Sequence, residues 1–155
     1  MWLGLAVALS VVVLDQASKA WILGFFAERS EPVAVLTSFF NLVLTGNRGM
    51  SFGLFNTNAT MNTAIFTVLA AVIVIALVVW LRRAHNPVIR IALGMIIGGA
   101  IGNVIDRLMR GAVVDFLDFH IGAWHWYAFN LADAAICLGV IALLLDGLLA
   151  RPKAA

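Results

Sequence analysis

Four long apolar runs constrain this chain more than any other feature of it. They extend from about Trp2 to Phe26, Met61 to Leu81, Val88 to Ile105 and Leu131 to Ala150. A bilayer core about 30 Å thick takes roughly 20 helical residues to cross. Each run has that reach. Lipid offers the backbone no hydrogen-bond partners, so each run is expected to be a helix. Composition points the same way. Hydrophobic residues make up 63% and charged residues 12% of the chain, against roughly 45–50% and about 25% in soluble domains. Mean hydropathy is +1.03. These values exclude a soluble globular enzyme, a disordered chain and a coiled coil. The expected fold class is an α-helical integral membrane protein with four transmembrane helices, forming a single membrane domain over residues 1–155.

Charge sets the expected orientation. The turn after the second run carries Arg82, Arg83 and Arg90, and the C-terminal tail carries Arg151 and Lys153, and neither stretch contains an acid. Basic residues favour the cytoplasmic side, so both termini are expected there. The segments 27–60 and 106–130 are then expected outside. The first run lacks a basic leader region and is long enough to span, so it reads as a retained helix rather than a cleaved signal peptide. The net charge of +2 comes from few charges of either sign and gives no basic surface for nucleic acid. Cys137 is the one cysteine, so neither an internal disulfide nor a cysteine-based zinc site can form.

The outer segments carry structure of their own. Residues 32–55 are rich in Val, Thr and Phe and alternate over Thr37–Leu44. This predicts two or three short strands, broken at Gly46 and Gly49, in a small sheet or cradle. The segment 106–130 contains Trp124, Trp126 and Tyr127. Such aromatics favour the headgroup level, and an interfacial helical segment is expected there.

The acids carry the functional signal. Asp15 lies 12 residues past Leu3, about 18 Å along the helix, in the outer part of the first run. Lys19 shares its face. The two form either a self-neutralised pair or part of a shared cavity, since charges in membrane helices seldom face lipid. Asp106 and Arg107 end the third run, one turn beyond Asn103. Asp115 and Asp118 follow, and Asp133 opens the fourth run after Asn130. Asn130 also fits a helix N-cap. Topology thus brings Asp15, Asp106, Asp115 and Asp133 toward the outer third of the membrane. Two partly desolvated carboxylates at close range do not both ionise cheaply. Such a pair can activate water and protonate a leaving amine, which is aspartyl-protease chemistry. A small proton-coupled carrier and a non-catalytic scaffold with interfacial ion pairs use the same residues and remain open. No HExxH or other metal-ligand spacing surrounds His85, His120 or His125, and no GxSxG or P-loop occurs. The glycines Gly94, Gly98, Gly99 and Gly102 fit close helix packing.

Several of these stretches match known elements. Asp15-Gln16-Ala17-Ser18-Lys19 resembles the D-Q-x-(S/T)-K element of bacterial lipoprotein signal peptidases, the signal peptidase II family. Asn47-Arg48-Gly49-Met50-Ser51-Phe52 resembles their N-x-G-x-(A/S)-F element. Gly99 to Arg107 is similar to G-x-x-G-N-x-x-D-R. Val113-Val114-Asp115-Phe116 and Phe129-Asn130-Leu131-Ala132-Asp133 resemble V-D-F and F-N-x-A-D. All five occur in order from residue 15 to residue 133. One departure is Tyr127, where the family often has proline; it bears on loop shape rather than chemistry. The resemblance implies an intramembrane aspartyl endopeptidase of the bacterial inner membrane, set among phospholipid. Its substrate would be a diacylglyceryl-modified prolipoprotein, cut just before the lipid-bearing cysteine. It implies Asp115 and Asp133 as the catalytic pair. Asn47, Gly49, Asn103, Arg107 and Asn130 would line a substrate site that a globomycin-like cyclic peptide also occupies. Asp15, Lys19 and Asp106 would support it. No metal or organic cofactor is implied.

Overall fold

A computed structural model describes residues 1–48 and 59–149. Gly49, Arg151 and Lys153 lie outside the described residues. Among the described residues, α1 (Trp2–Phe26), α2 (Ala59–Arg83), α3 (Pro87–Arg110) and α4 (Leu131–Leu149) are long and apolar enough to cross a membrane. Between them lie β1 (Val33–Val35), β2 (Phe40–Asn47), β3 (Val113–Ile121) and β4 (Trp124–His125). The expected four-helix membrane architecture with a small sheet is therefore present.

Helix α3 is the central pillar. Its start is written locally: Pro87 takes the first turn, and the Asn86 side chain accepts from Val88 N–H at 2.9 Å, a standard cap. Its end is written at Gly111, whose φ of +74° is the left-handed stop glycine adopts without strain. Between these ends, glycines let neighbouring backbones close in. A Cβ at Gly98 would lie 2.6 Å from the Ala8 carbonyl of α1. One at Gly99 would strike the Ala132 carbonyl of α4. Small residues drive helix association in lipid, where burial of apolar surface supplies no force.

Helix α1 buries Gly4, Ala8, Asp15, Lys19, Ile22 and Phe26. Those positions are spaced by three, four or seven residues, one stripe of a 3.6-residue helix. Asp15 and Lys19 sit on that inward stripe and not toward lipid.

The sheet has the order β1-β2-β3-β4, antiparallel throughout. Two expectations are corrected here. Gly46 does not break a strand: it lies within β2, opposite Val114, and the ladder instead shifts register between Leu42 and Thr45. The segment expected to be an interfacial helix is strand over Val113–Ile121. Pairing with β2 and burial of its side chains decide this. Val114 and Phe116 project into a core with Ile22, Phe26, Ala34 and Leu42, while β2 supplies the ladder of backbone partners that strand pairing requires. The Trp and Tyr residues near Trp124–Tyr127 are exposed on the following hairpin.

Candidate active site

The end of the bundle that bears the sheet gathers nearly all the acids. Asp115 is the third residue of β3, and Asp133 lies in the first turn of α4. Asn130 joins them. Its Nδ2 donates to Asp115 Oδ1 at 2.7 Å, and its Oδ1 accepts from Asp133 N–H at 3.0 Å. Asp133 Oδ2 accepts in return from Asn130 N–H at 3.2 Å. This reciprocal pair is a capping box. Starting α4 and orienting both carboxylates are thus the work of one asparagine, which is fully buried.

Asn103, on α3, extends the network. Its Nδ2 donates to Asp133 Oδ1 at 2.8 Å. Its Oδ1 accepts from Lys19 Nζ at 3.2 Å and from Asn130 Nδ2 at 3.3 Å. Asn47, at the end of β2, hydrogen-bonds the Asp115 carboxyl. Arg107 lies one turn from Asn103, donates to the Asn103 carbonyl at 3.4 Å, and interacts electrostatically with Asp133 and Asp115.

A second cluster backs the first. Lys19 Nζ lies 2.9 Å from Asp15 Oδ2 and 2.8 Å from Asp106 Oδ2, and all three side chains are fully buried. Asp15 Oδ1 also accepts from Ala132 N–H at 3.1 Å. Asp106 also accepts from Val114 N–H at 3.1 Å and from Arg110 at 2.6 Å. Two cations thus face two carboxylates, and the backbone contacts tie α1 and α3 to the starts of β3 and α4. Balanced charges with every carboxylate oxygen accepting at least one hydrogen bond or ion pair meet the condition under which buried ions are tolerated.

The electrostatics of Asp115 differ. Burial, and then the nearby Asp133 charge, raise its pKa from 3.8 to about 6, against hydrogen bonds from Asn47 and Asn130 and the charge of Lys19. A carboxyl group in that range can hold or release a proton near neutrality.

The residues singled out by sequence therefore separate into two groups. Asp115, Asp133, Asn47, Asn103, Arg107 and Asn130 form one connected site. Asp15, Lys19 and Asp106 form the adjoining ion cluster. Two partners were not singled out: Gln16, which donates to Asp15, Asp106 and the Gly102 carbonyl, and Arg110. Gln16 stands inside the D-Q-x-S-K stretch and was legible there. Asp118 goes elsewhere. It lies three residues from Asp115, and a strand turns odd and even positions to opposite faces. It accepts from Asn41 at 2.8 Å and pairs with His125 at 2.9 Å. Burial acts to raise its pKa, but the Asn41 and His125 hydrogen bonds and the two nearby histidines outweigh it and hold it below the ordinary carboxylate range.

Comparison with known proteins adds the family context. A family model described as "Signal peptidase (SPase) II" matches residues 7–149. The lipoprotein signal peptidase of Rhodopseudomonas palustris (strain TIE-1) is 45% identical over 154 residues, covering 97% of this chain and 94% of the relative. That of Burkholderia cenocepacia (strain HI2424) is 47% identical over 148 residues, covering 95% and 87%. A solved structure described as a bacterial membrane enzyme, determined in meso at 1.9 Å resolution, matches with a TM-score of 0.79 at 28% identity, covering 96% of this chain and 94% of that one.

Proposed function

The chain belongs to the signal peptidase II family, and on that premise we propose that it is an aspartyl endopeptidase acting on diacylglyceryl-modified prolipoproteins. It removes the signal peptide by cutting just before the lipid-bearing cysteine. The observation that carries this reading is the pair Asp115 and Asp133, held from a strand and a helix by one asparagine.

In this mechanism Asp115 begins protonated and Asp133 ionised. Both oxygens of Asp133 accept hydrogen bonds, which fix its orientation. Asp133 takes a proton from water as the water oxygen attacks the scissile carbonyl carbon, and Asp115 protonates the carbonyl oxygen. Collapse of the tetrahedral intermediate breaks the C–N bond. The leaving amine takes the proton held by Asp133, and the gem-diol returns one to Asp115. The carboxyl pair ends as it began. The ion cluster of Asp15, Lys19 and Asp106 anchors the elements that carry the pair, and Asn47, Asn103, Arg107 and Asn130 contact the substrate. Gly49, by its motif, joins them.

The site lies at the end of the bundle opposite Arg82, Arg83 and Arg90. The positive-inside rule then puts it on the outer face of the bacterial cytoplasmic membrane, with both termini in the cytoplasm. Phospholipid surrounds the helices, and a globomycin-like cyclic peptide occupies the same site as the substrate. The test is a gel-shift assay with purified protein and a diacylglyceryl-modified prolipoprotein. Cleavage is expected from the native chain. Asp115→Asn and Asp133→Asn are each expected to slow it at least about 10²-fold, the scale of general acid–base catalysis. Near-normal turnover by either variant overturns the assignment.

A further inference from the structure

Asp118 is buried, at 5% exposure, yet the mechanism above leaves it unused. It stands three residues along β3 from Asp115, about 10 Å at the rise of a strand. Its carboxylate is tied to both neighbouring strands. Asn41 of β2 donates to it through Nδ2 at 2.8 Å, and Nδ1 of His125, on β4, meets its two oxygens at 2.9 and 3.0 Å. Asn41 is buried as well. His120 stacks on His125 with ring centroids 4.8 Å apart.

The three strands joined at Asp118 are those that lead to the reacting carboxyl group. β2 ends at Asn47, which hydrogen-bonds Asp115. β3 carries Asp115 itself. Beyond β4 the chain lies back on β3, where Leu117 and Phe129 exchange backbone hydrogen bonds at 2.9 and 3.1 Å, and Asn130 follows. Between Asn41 and Asn47 the ladder is uneven. β2 advances three residues from Leu42 to Thr45 while β3 advances two from Leu117 to Asp115. This shift sets Asn47 opposite Val113. Without it Asn47 would stand opposite Ala112, about 3.3 Å farther from Asp115 along the strand. A one-residue slip also turns side chains to the other face. Backbone bonds are alike in either register, so side chains must choose between them. Asn41 and Asp118 are a directly opposed pair on the far side of the shift.

We propose that Asp118 is a positioning residue for the carboxylate pair: its bridge to Asn41 fixes the register that brings Asn47 onto Asp115, and its bridge to His125 fixes the hairpin that leads to Asn130. The inference rests on the peptidase reading above. Asp118 touches no reacting atom, and its effect passes through the two asparagines.

The experiment measures cleavage of a diacylglyceryl-modified prolipoprotein by purified full-length protein from pH 5 to 8, beside the thermal midpoint. Hydrogen bonds from Asn47 and Asn130 hold the Asp115 carboxyl down, so weakening them should move the alkaline limb of kcat/KM to higher pH. Asp118→Ala is expected to move it that way and to lower kcat/KM about tenfold, with a smaller loss in an Asn47→Ala background, as coupled residues show. His125 is half-exposed, so His125→Ala spares the core and should move the limb in the same direction by less. The charges of Asp133, Lys19 and Arg107 that act on Asp115 are untouched in these variants, and His120 stays beside Asp118. Phe119→Leu is the control. It weakens the same sheet by loosening a ring contact with Phe40 at 4.7 Å, and it should lower the midpoint while leaving the limb in place. A native limb in both Asp118→Ala and His125→Ala overturns the inference and leaves the peptidase reading intact. An equal move in Phe119→Leu also overturns it, because any loosening of the sheet would then suffice. Failure of the native chain to cut the prolipoprotein overturns both.

Discussion

Asp115 is costly to the fold, and the proposed mechanism makes that same residue the acid. Its pKa of about 6 means that the folded chain holds this proton more tightly than the unfolded chain does. Stability therefore falls as pH rises from about 4 through 6, and at pH 7 the ionised carboxylate costs about 3 kcal/mol. Asp115→Asn keeps the shape and can still accept from Asn130. It is expected to raise the thermal midpoint in detergent at pH 7 while stopping cleavage, and a lowered midpoint would contradict this account. The same proton gives a kinetic prediction. If Asp115 is the acid, kcat/KM should decline as pH climbs through about 6, where the free enzyme loses it. A profile flat from pH 5 to 8 would remove Asp115 from that role.

At the scale of elements, α3 matters most because its glycines set how near its neighbours come. At Gly102 a Cβ would lie 2.5 Å from Asp15 Oδ2 and 3.5 Å from the Ala132 Cβ. Asp15 cannot yield easily, being held by Lys19 and by Ala132 N–H. Gly102→Ala is thus expected to cost about 1–3 kcal/mol, the range for overpacking a filled site. Gly46→Ala is the control. Its Cβ would meet only Ala112, at 3.5 Å, an ordinary contact on an open strand. Equal thermal midpoints for the two variants would show that α1, α3 and α4 are less tightly locked than their contacts imply.

For the whole molecule, the Asp15–Lys19–Asp106 cluster is the joint between the membrane bundle and the sheet. Lys19→Met leaves two buried carboxylates without their shared cation, a change that typically costs about 3–5 kcal/mol. Asp15→Asn keeps an acceptor for Ala132 N–H and removes one charge, so its loss of stability should be smaller. The measurement is the thermal midpoint beside the specific activity of the folded fraction. Lys19→Met melting like the native chain would reduce the cluster to a local contact. Asp15→Asn retaining its midpoint but losing activity would move Asp15 into the reacting site.

The four membrane helices are legible from the residues alone, because length and hydropathy are local properties and lipid permits the backbone few alternatives. The acids worth following are legible too, because ionised groups in apolar helices are costly enough to be conspicuous. How those acids divide physically depends on packing. Topology and spacing treat Asp15, Asp106, Asp115 and Asp133 alike, and in the sequence only the motif resemblance divides them into a pair and its support. Only the close packing of α1 against α3 puts Lys19 between two of them and leaves the other two joined through Asn130. Residues 113–121 form a strand that the sequence does not announce, for a related reason. Their aromatic neighbours signal the interface, but whether such a segment becomes helix or strand depends on a partner far away in sequence. That partner is β2, and its unpaired edge is visible only once the chain has folded.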